Sequence, residues 1–245
     1  MQPFTIPTSS LEKTLLVGDF LFVSKFHYGA RVPGTAVAFP MVHDTIPVLG
    51  IKSYLNKPQI PYLRFPGFEK VERNDIVVFN WPVDTVRKFF DKSGKHYKKP
   101  IDKKSNYVKR AVGIPGDSLS VKDGYVFING KQLELPERAK PQFSYIGKTK
   151  GQPFNPQVLY KRYGITNGYS YNPNNNAFFI QGLSDDALEL FKNHPNVASI
   201  ERYVHEAGNK NPGIFPNDGK RSWNNDNMGP IYIPKKGVSV AITPE

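Results

Sequence analysis

The sequence predicts a mainly β protein with an inserted second domain, and three observations predict it. Apolar residues come in short strand-like runs rather than long helical stripes. Pro (22) and Gly (20) are frequent but dispersed over the 245 residues, which suits many short strands joined by turns. One stretch, 131–216, is rich in Asn, Pro, Tyr and Gly and carries the clearest helical signal. The expected organisation is a β-core formed by 1–130 plus 217–245, interrupted by an accessory domain at 131–216.

Taken in order, the first apolar run is "TLLVGDFLFV" (14–23), broken by Gly18-Asp19 and preceded by the extended lead-in "QPFTIPTSS". A long connection, 26–71, carries "GARVPGTAVAFP" and reads as an extended loop with an edge hairpin. "DIVVFNW" (75–81) and "YVKRAVGI" (107–114) read as strands, the second ending in a turn at Pro115-Gly116-Asp117. In "SLSVKDGYVFING" (118–130), Asp123-Gly124 marks a hairpin, because tight hairpin turns need positive φ at their central residues. "AFFIQ" (177–181), "IYIP" (231–234) and "VSVAI" (238–242) are further strands. The helix is "LSDDALELFKNHP", with Ser184 as its cap, Asp185 and Asp186 at its positive end and Pro195 past its close.

Composition excludes several chemistries. With no cysteine there is no thiol nucleophile, no cysteine-ligated zinc and no disulfide. The five histidines (His27, His43, His96, His194 and His205) do not fall at metal-ligand spacing, so neither a metal nor a cofactor is expected. The net charge is +12, and its densest cluster is "DKSGKHYKKPIDKKSNY" (91–107). That run reads as a solvated loop, with anionic lipid headgroups as its second reading. Nucleic acid is not expected as a partner, because aromatics do not interleave with the cations as a stacking platform. No apolar run is long enough to span a membrane, and no signal peptide precedes "QPFTIPTSS". A membrane anchor, if the protein has one, is expected outside this sequence.

Two segments hold the candidate chemistry. Lys109 and Arg110 are adjacent within a strand, so they leave opposite faces, and one is expected to point inward. A lysine works as a general base only when its surroundings disfavour the ammonium form, and Lys109, between Val108 and Ala111-Val112, is the lysine placed for that. Its nucleophile would be a Ser or Thr, since cysteine is absent. Ser9 and Ser10, after Pro7, are the upstream candidates. Each signal has an ordinary alternative: serines before a strand are commonly capping residues, and strand lysines commonly reach solvent.

Taken together, "IPTSS", Gly18-Asp19, "DIVVF" (75–79), "YVKRAVGIPGD" (107–117) and "DNMGPIYIP" (226–234) resemble bacterial type I signal peptidases in order and spacing. The resemblance covers both ends and the middle of the chain but not 131–216. It implies a Ser/Lys-dyad serine endopeptidase with the signal-peptidase β-fold, which self-cleaving repressors share. It also implies a site on the outer, periplasmic face of the cytoplasmic membrane. The eight-residue spacing to Gly18 picks Ser10 as nucleophile, with Lys109 as base. Thr8 and the Ser10 N–H are the implied oxyanion hole. Phe4, Ile6, Pro7, Tyr107 and Val108 are the implied substrate-binding residues, the partners being signal peptides of exported preproteins and the lipid surface. Arg110 is implied to support the lysine from the other face.

The late motif departs from the family pattern. Asp226 and Arg221 match, while Asn224 stands for the serine that would bond the lysine and Met228 for an arginine. Asn224, or Ser222 in its place, and Asp226 are therefore the implied lysine-orienting residues. Leu11-Glu12-Lys13 follows the nucleophile where the family often has Met-x-Pro. Two rival readings stand beside this one. A self-cleaving repressor would need a helix-turn-helix before Ser10, and none is present. A non-catalytic basic β-module, an inactive paralogue, would bind a partner or an anionic membrane surface through 92–104.

Overall fold

The fold follows from short strands that meet their neighbours through tight turns. A computed structural model of the chain describes residues 1–11, 13–40, 42–84, 86, 94, 96–166, 168–216 and 218–241. The chain divides into two compact units, Met1–Ala111 and Val112–Glu245.

In the first unit, β1 (Gln2–Thr5) pairs antiparallel with β2 (Phe20–Val23), and β3 (Ile76–Asn80) pairs antiparallel with β4 (Asn106–Arg110). A 3₁₀ turn, Ser9–Leu11, lies between β1 and β2. Of the apolar run 14–23, only the last four residues form a strand. Gly18, at φ 95°, and Asp19 turn the chain, so pairing begins only at Phe20. The 26–71 connection forms an irregular two-stranded arm held by the isolated bridges Arg31–Arg64, Thr35–Gln59, Ala38–Tyr54 and Thr45–Lys52.

The start of β4 is fixed by a buried ionic cluster. Asp84, 2% exposed, accepts hydrogen bonds from the Ser105 N–H (2.7 Å) and hydroxyl (2.8 Å). Buried Lys99 lies 2.9 Å from an Asp44 oxygen and 3.4 Å from Asp84. Burial works to raise the Asp84 pKa, but the two Ser105 donors and the Lys99 charge outweigh it and hold the carboxyl below its usual value. Trp81 N–H to Ser105 carbonyl (2.9 Å) then continues the β3–β4 ladder. At the other end of β3, Tyr28 donates to Asp75 (2.8 Å), which also accepts the Glu72 N–H. Burial, then the Asp75 bond and charge, push the Tyr28 phenol up to about 12.

Among the described residues, the second unit forms two four-stranded sheets. The first contains β5 (Ser118–Lys122), β6 (Tyr125–Ile128) and β7 (Lys131–Gln132), with the late β12 (Met228–Tyr232) beside β5. Asp123 and Gly124, at φ 48° and 79°, form the β5–β6 turn the sequence predicts. Buried Asp117 ties the preceding turn together, accepting from the Ile114 N–H (2.9 Å) and the Asn129 amide (3.1 Å).

The second sheet consists of β8 (Phe143–Thr149), β9 (Tyr169–Asn172), β10 (Ala177–Leu183) and β11 (Val197–Arg202), with helices α1 (Pro156–Tyr163) and α2 (Asp185–Lys192). The chain order βαββαβ with spatial order β11-β8-β10-β9, antiparallel throughout, is the split-βαβ, ferredoxin-like topology. Its core is Tyr145, Phe154, Leu159, Tyr163, Phe178, Ile180, Leu183 and Phe191, with Phe154 in ring contact with Phe178 and Phe191.

Helix α2 follows the sequence expectation, except that the Ser184 side chain makes no capping bond although the residue stands at the N-cap. Helix α1 was not expected. It is set by Asn155, which accepts the Gln157 N–H, by Pro156 in the first turn and by Gly164 in the left-handed conformation at its end. The expected strand at 238–242 does not form in 238–241, and Ile242 lies outside the described residues.

Replacing Asp84 by Asn leaves buried Lys99 with one partner fewer and is expected to lower unfolding stability by about 3 kcal/mol at neutral pH. Because the folded-state value of Asp84 lies below its unfolded value of about 3.9, its stabilisation is complete above that pH and fades as pH falls through the folded value. Urea titrations should therefore show parent and variant converging below about pH 4.

Candidate active site

The nucleophile candidate sits on a loop that its own backbone closes. Between β1 and β2 the chain runs out through Pro7, turns at Ser9–Leu11 and returns at Gly18-Asp19. Two bonds clamp the neck of this loop: Ile6 N–H to the Asp19 carbonyl and Gly18 N–H to the Ile6 carbonyl, each 2.9 Å. The Asp19 carboxylate also accepts the Leu16 N–H at 2.8 Å. Ile6, 3% exposed, seats the neck in the interior. This gives the fixed serine-to-Gly-Asp spacing a physical reason: the pair closes the loop that presents the hydroxyl.

Lys109 comes from β4, where it lies opposite Val77 of β3. Strand alternation puts Tyr107 and Lys109 on one face and Val108 and Arg110 on the other. The Lys109 side-chain nitrogen lies 2.5 Å from the Ser10 hydroxyl oxygen, a contact across 99 residues of sequence. Ser10 is exposed, whereas Lys109 is half-buried and not enclosed in the interior as the sequence suggested. Arg110, from the opposite face, donates to the Asn74 carbonyl (2.9 Å) and the Thr14 hydroxyl (3.3 Å). It thereby ties β4 to the start of β3 and to the chain just beyond Ser10. Thr14 is a residue that sequence reasoning missed, although its place four residues after Ser10 was on view.

The other expected site residues of this unit are spread around the same loop and strand. Thr8 and Pro7 are exposed, Phe4 is half-buried on β1, and Ile6 is enclosed. Tyr107 is in ring contact with Phe79 and Trp81, at 6.4 and 5.3 Å between centroids. Among the described residues no strand pairs with the outer edge of β4. Of the basic run 91–107, residues 91–93 and 95 lie outside the described residues, as does Glu12.

The late motif lies in the second unit, where Asn224 is fully buried. Its amide donates to the Glu206 and Asn209 carbonyls (2.8 and 3.0 Å), and its oxygen accepts the Asp226 and Asn227 N–H groups (3.0 and 2.8 Å). Both donors and both lone pairs are thus committed within its own loop. Asp226 accepts from the His205 N–H (2.9 Å) and from His205 Nδ1 (2.7 Å). Ser222 is exposed. No group of metal-ligating side chains occurs among the described residues.

A hydroxyl thus lies against a lysine, on a loop closed by Gly-Asp. The profile of the family described as signal peptidase, peptidase S26, matches residues 1–186. The chain belongs to this signal peptidase family. The match contains Ser10 and Lys109 and ends before the 218–228 segment. Curated relatives include the protein named signal peptidase I of Rickettsia typhi, 30% identical over 148 residues, covering 60% of this chain and 41% of the relative. The protein of the same name from Rickettsia akari is 27% identical over 203 residues, covering 76% of this chain and 62% of the relative. The chain therefore spans roughly two-fifths to three-fifths of the length of these relatives. No solved structure matches significantly.

The loop clamp makes a prediction about Gly18. A Cβ there would meet no atom within 4 Å, so substitution acts on the backbone alone. Gly18→Ala forces an L-residue to φ 95° and is expected to lower stability by about 1–2 kcal/mol in chemical denaturation.

Proposed function

We propose that this signal peptidase family member is a serine endopeptidase that cleaves signal peptides from exported preproteins with a Ser10/Lys109 dyad. The observation that carries this reading is the 2.5 Å approach of the Lys109 nitrogen to the Ser10 oxygen. Neutral Lys109 takes the proton as the Ser10 oxygen attacks the scissile carbonyl carbon, and a C–O bond forms. The carbonyl oxygen gains the electron pair and is held by the Thr8 hydroxyl and the Ser10 N–H. On collapse, the C–N bond breaks and the lysine proton passes to the leaving amine. Water, activated by the same lysine, then cleaves the ester and restores Ser10. No metal enters these steps.

The outer edge of β4 is suited to pairing with an extended peptide backbone. Tyr107 and Val108 on that strand, with Phe4, Ile6 and Pro7 on the loop side, are the side chains proposed to meet the substrate. Enclosed Ile6 would act by shaping the wall and exposed Pro7 by direct contact. Arg110 positions the strand through Thr14 and Asn74. In the late motif, the four bonds of Asn224 and the His205 contacts of Asp226 favour a loop-building role. The segment 131–216, with its ferredoxin-like sheet, is proposed as an accessory domain inserted in the catalytic core.

No helix of the described residues is long and apolar enough to cross a membrane. We place the catalytic region on the outer face of the cytoplasmic membrane. The β1–β2 hairpin is proposed to rest on the bilayer through Phe20 and Phe22, which are 80% and 75% exposed on one face of β2.

Cleavage of a signal-peptide substrate tests the dyad. Ser10→Ala and Lys109→Ala should each reduce kcat by at least about a thousandfold. Lys109→Arg should fail equally, because a guanidinium keeps its proton and cannot act as a base. Undiminished cleavage by any of the three would reject the assignment.

A further inference from the structure

The 29–67 arm ends in a turn that is difficult to explain as part of a soluble fold. Beyond the Thr45–Lys52 bridge, Ile46 N–H bonds the Ile51 carbonyl (2.9 Å) and Gly50 N–H bonds the Ile46 carbonyl (3.0 Å). The tip is Pro47-Val48-Leu49-Gly50, with no polar side chain in it. Val48 is fully exposed and stands at φ 71°, Leu49 is 66% exposed and Ile51 54%. A β-branched residue in the left-handed region is a conformational outlier, and Gly or Asn is the usual occupant. The folded chain gains no compensating burial from the Val48 side chain. An apolar medium outside the protein would supply it.

The flanks of the tip narrow the choice of medium. Within 29–67 the basic residues are Arg31, Lys52, Lys57 and Arg64, and the single acidic residue is Asp44, whose carboxylate is paired with buried Lys99 at 2.9 Å. The exposed charges of the arm are therefore all positive. Behind the tip, Lys52 and Lys103 approach the ring of Tyr54, at 5.6 and 5.4 Å from its centroid. Val37, Phe39 and Leu55 extend the apolar exposure along the arm, Leu55 and Val37 being joined by a backbone bond of 3.0 Å. An apolar tip backed by cations matches an interfacial anchor, with hydrocarbon below and anionic headgroups at the level of the lysines. A protein partner is the weaker occupant, since the tip is a turn with no groove.

We propose that the Val48-Leu49 tip inserts into the interfacial layer of an anionic bilayer, a lipid contact additional to that of the β1–β2 hairpin. The proposal rests on the membrane location argued above but not on the dyad. The chain has no cysteine, so Leu49→Cys offers a single site for an environment-sensitive dye. With vesicles of phosphatidylcholine mixed with phosphatidylglycerol, the dye emission should shift to the blue. The same dye on Tyr160→Cys, at an exposed position of α1, should not shift. In vesicle sedimentation, the Val48→Asp/Leu49→Asp double variant should bind at least about tenfold more weakly, equivalent to 1.4 kcal/mol. Its cleavage of a soluble peptide should stay within about twofold of the parent. Val48→Gly should weaken vesicle binding while raising thermal stability, as it relieves the left-handed strain.

An unshifted dye or unchanged vesicle binding by the double variant would overturn the tip contact. A shift seen only with an added protein, and not with vesicles, would overturn it in favour of a protein partner. Loss of peptide cleavage in Ser10→Ala with no vesicle binding by the parent would leave the peptidase reading standing and remove this one. The converse pair of results would do the opposite.

Discussion

The first unit is organised around one short contact between a loop and a strand. Ser10 contributes an exposed hydroxyl and Lys109 a half-buried side-chain nitrogen, and the two lie 2.5 Å apart. Holding them there requires precision on both sides. On the serine side it comes from backbone bonds between Ile6 and the Gly18-Asp19 turn. On the lysine side it comes from the β3–β4 register and from Asp84, which fixes Ser105 immediately before the strand. Arg110 joins the two sides by reaching Thr14 from the opposite face of β4. The adjacent cations of β4 thus divide the labour, one facing the hydroxyl and the other bracing the framework.

Much of this was legible in the sequence because the relevant signals are local. The Asp123-Gly124 turn announces its backbone conformation through residue type, and so does the Gly18-Asp19 break. The pairing of Ser10 with Lys109 was legible only through the family resemblance. No periodicity or propensity connects residues so distant in sequence, and the strand by itself could not say which serine it would meet. Helix α1 was missed because its stretch is polar and its apolar side is narrow, resting on Leu159 and Tyr163, although Asn155, Pro156 and Gly164 marked both ends. The run at 238–242 shows the reverse error: β-branched residues alternate there, yet 238–241 find no ladder partner. A strand needs a neighbour, and sequence pattern does not supply one.

The role expected for Asn224 shows how a substitution in a motif should be weighed. An amide has two donors and two lone pairs, and here all four are taken up by backbone groups of 206–227. A serine hydroxyl at that position could not replace them. Asn224 is therefore better understood as the centre of a loop than as a weakened copy of a serine. Met228 leaves Asp226 without the arginine of the pattern, and His205 meets that carboxylate instead.

The register of the ferredoxin-like sheet has one more consequence. Tyr145, near the beginning of β8, lies beside Arg202 at the end of β11, and Tyr203 bonds back to Ser144 at 2.8 Å. The polypeptide thus leaves this sheet next to the point where it came in. A βαββαβ layer closed in this way is a detour whose two ends a short linker could join.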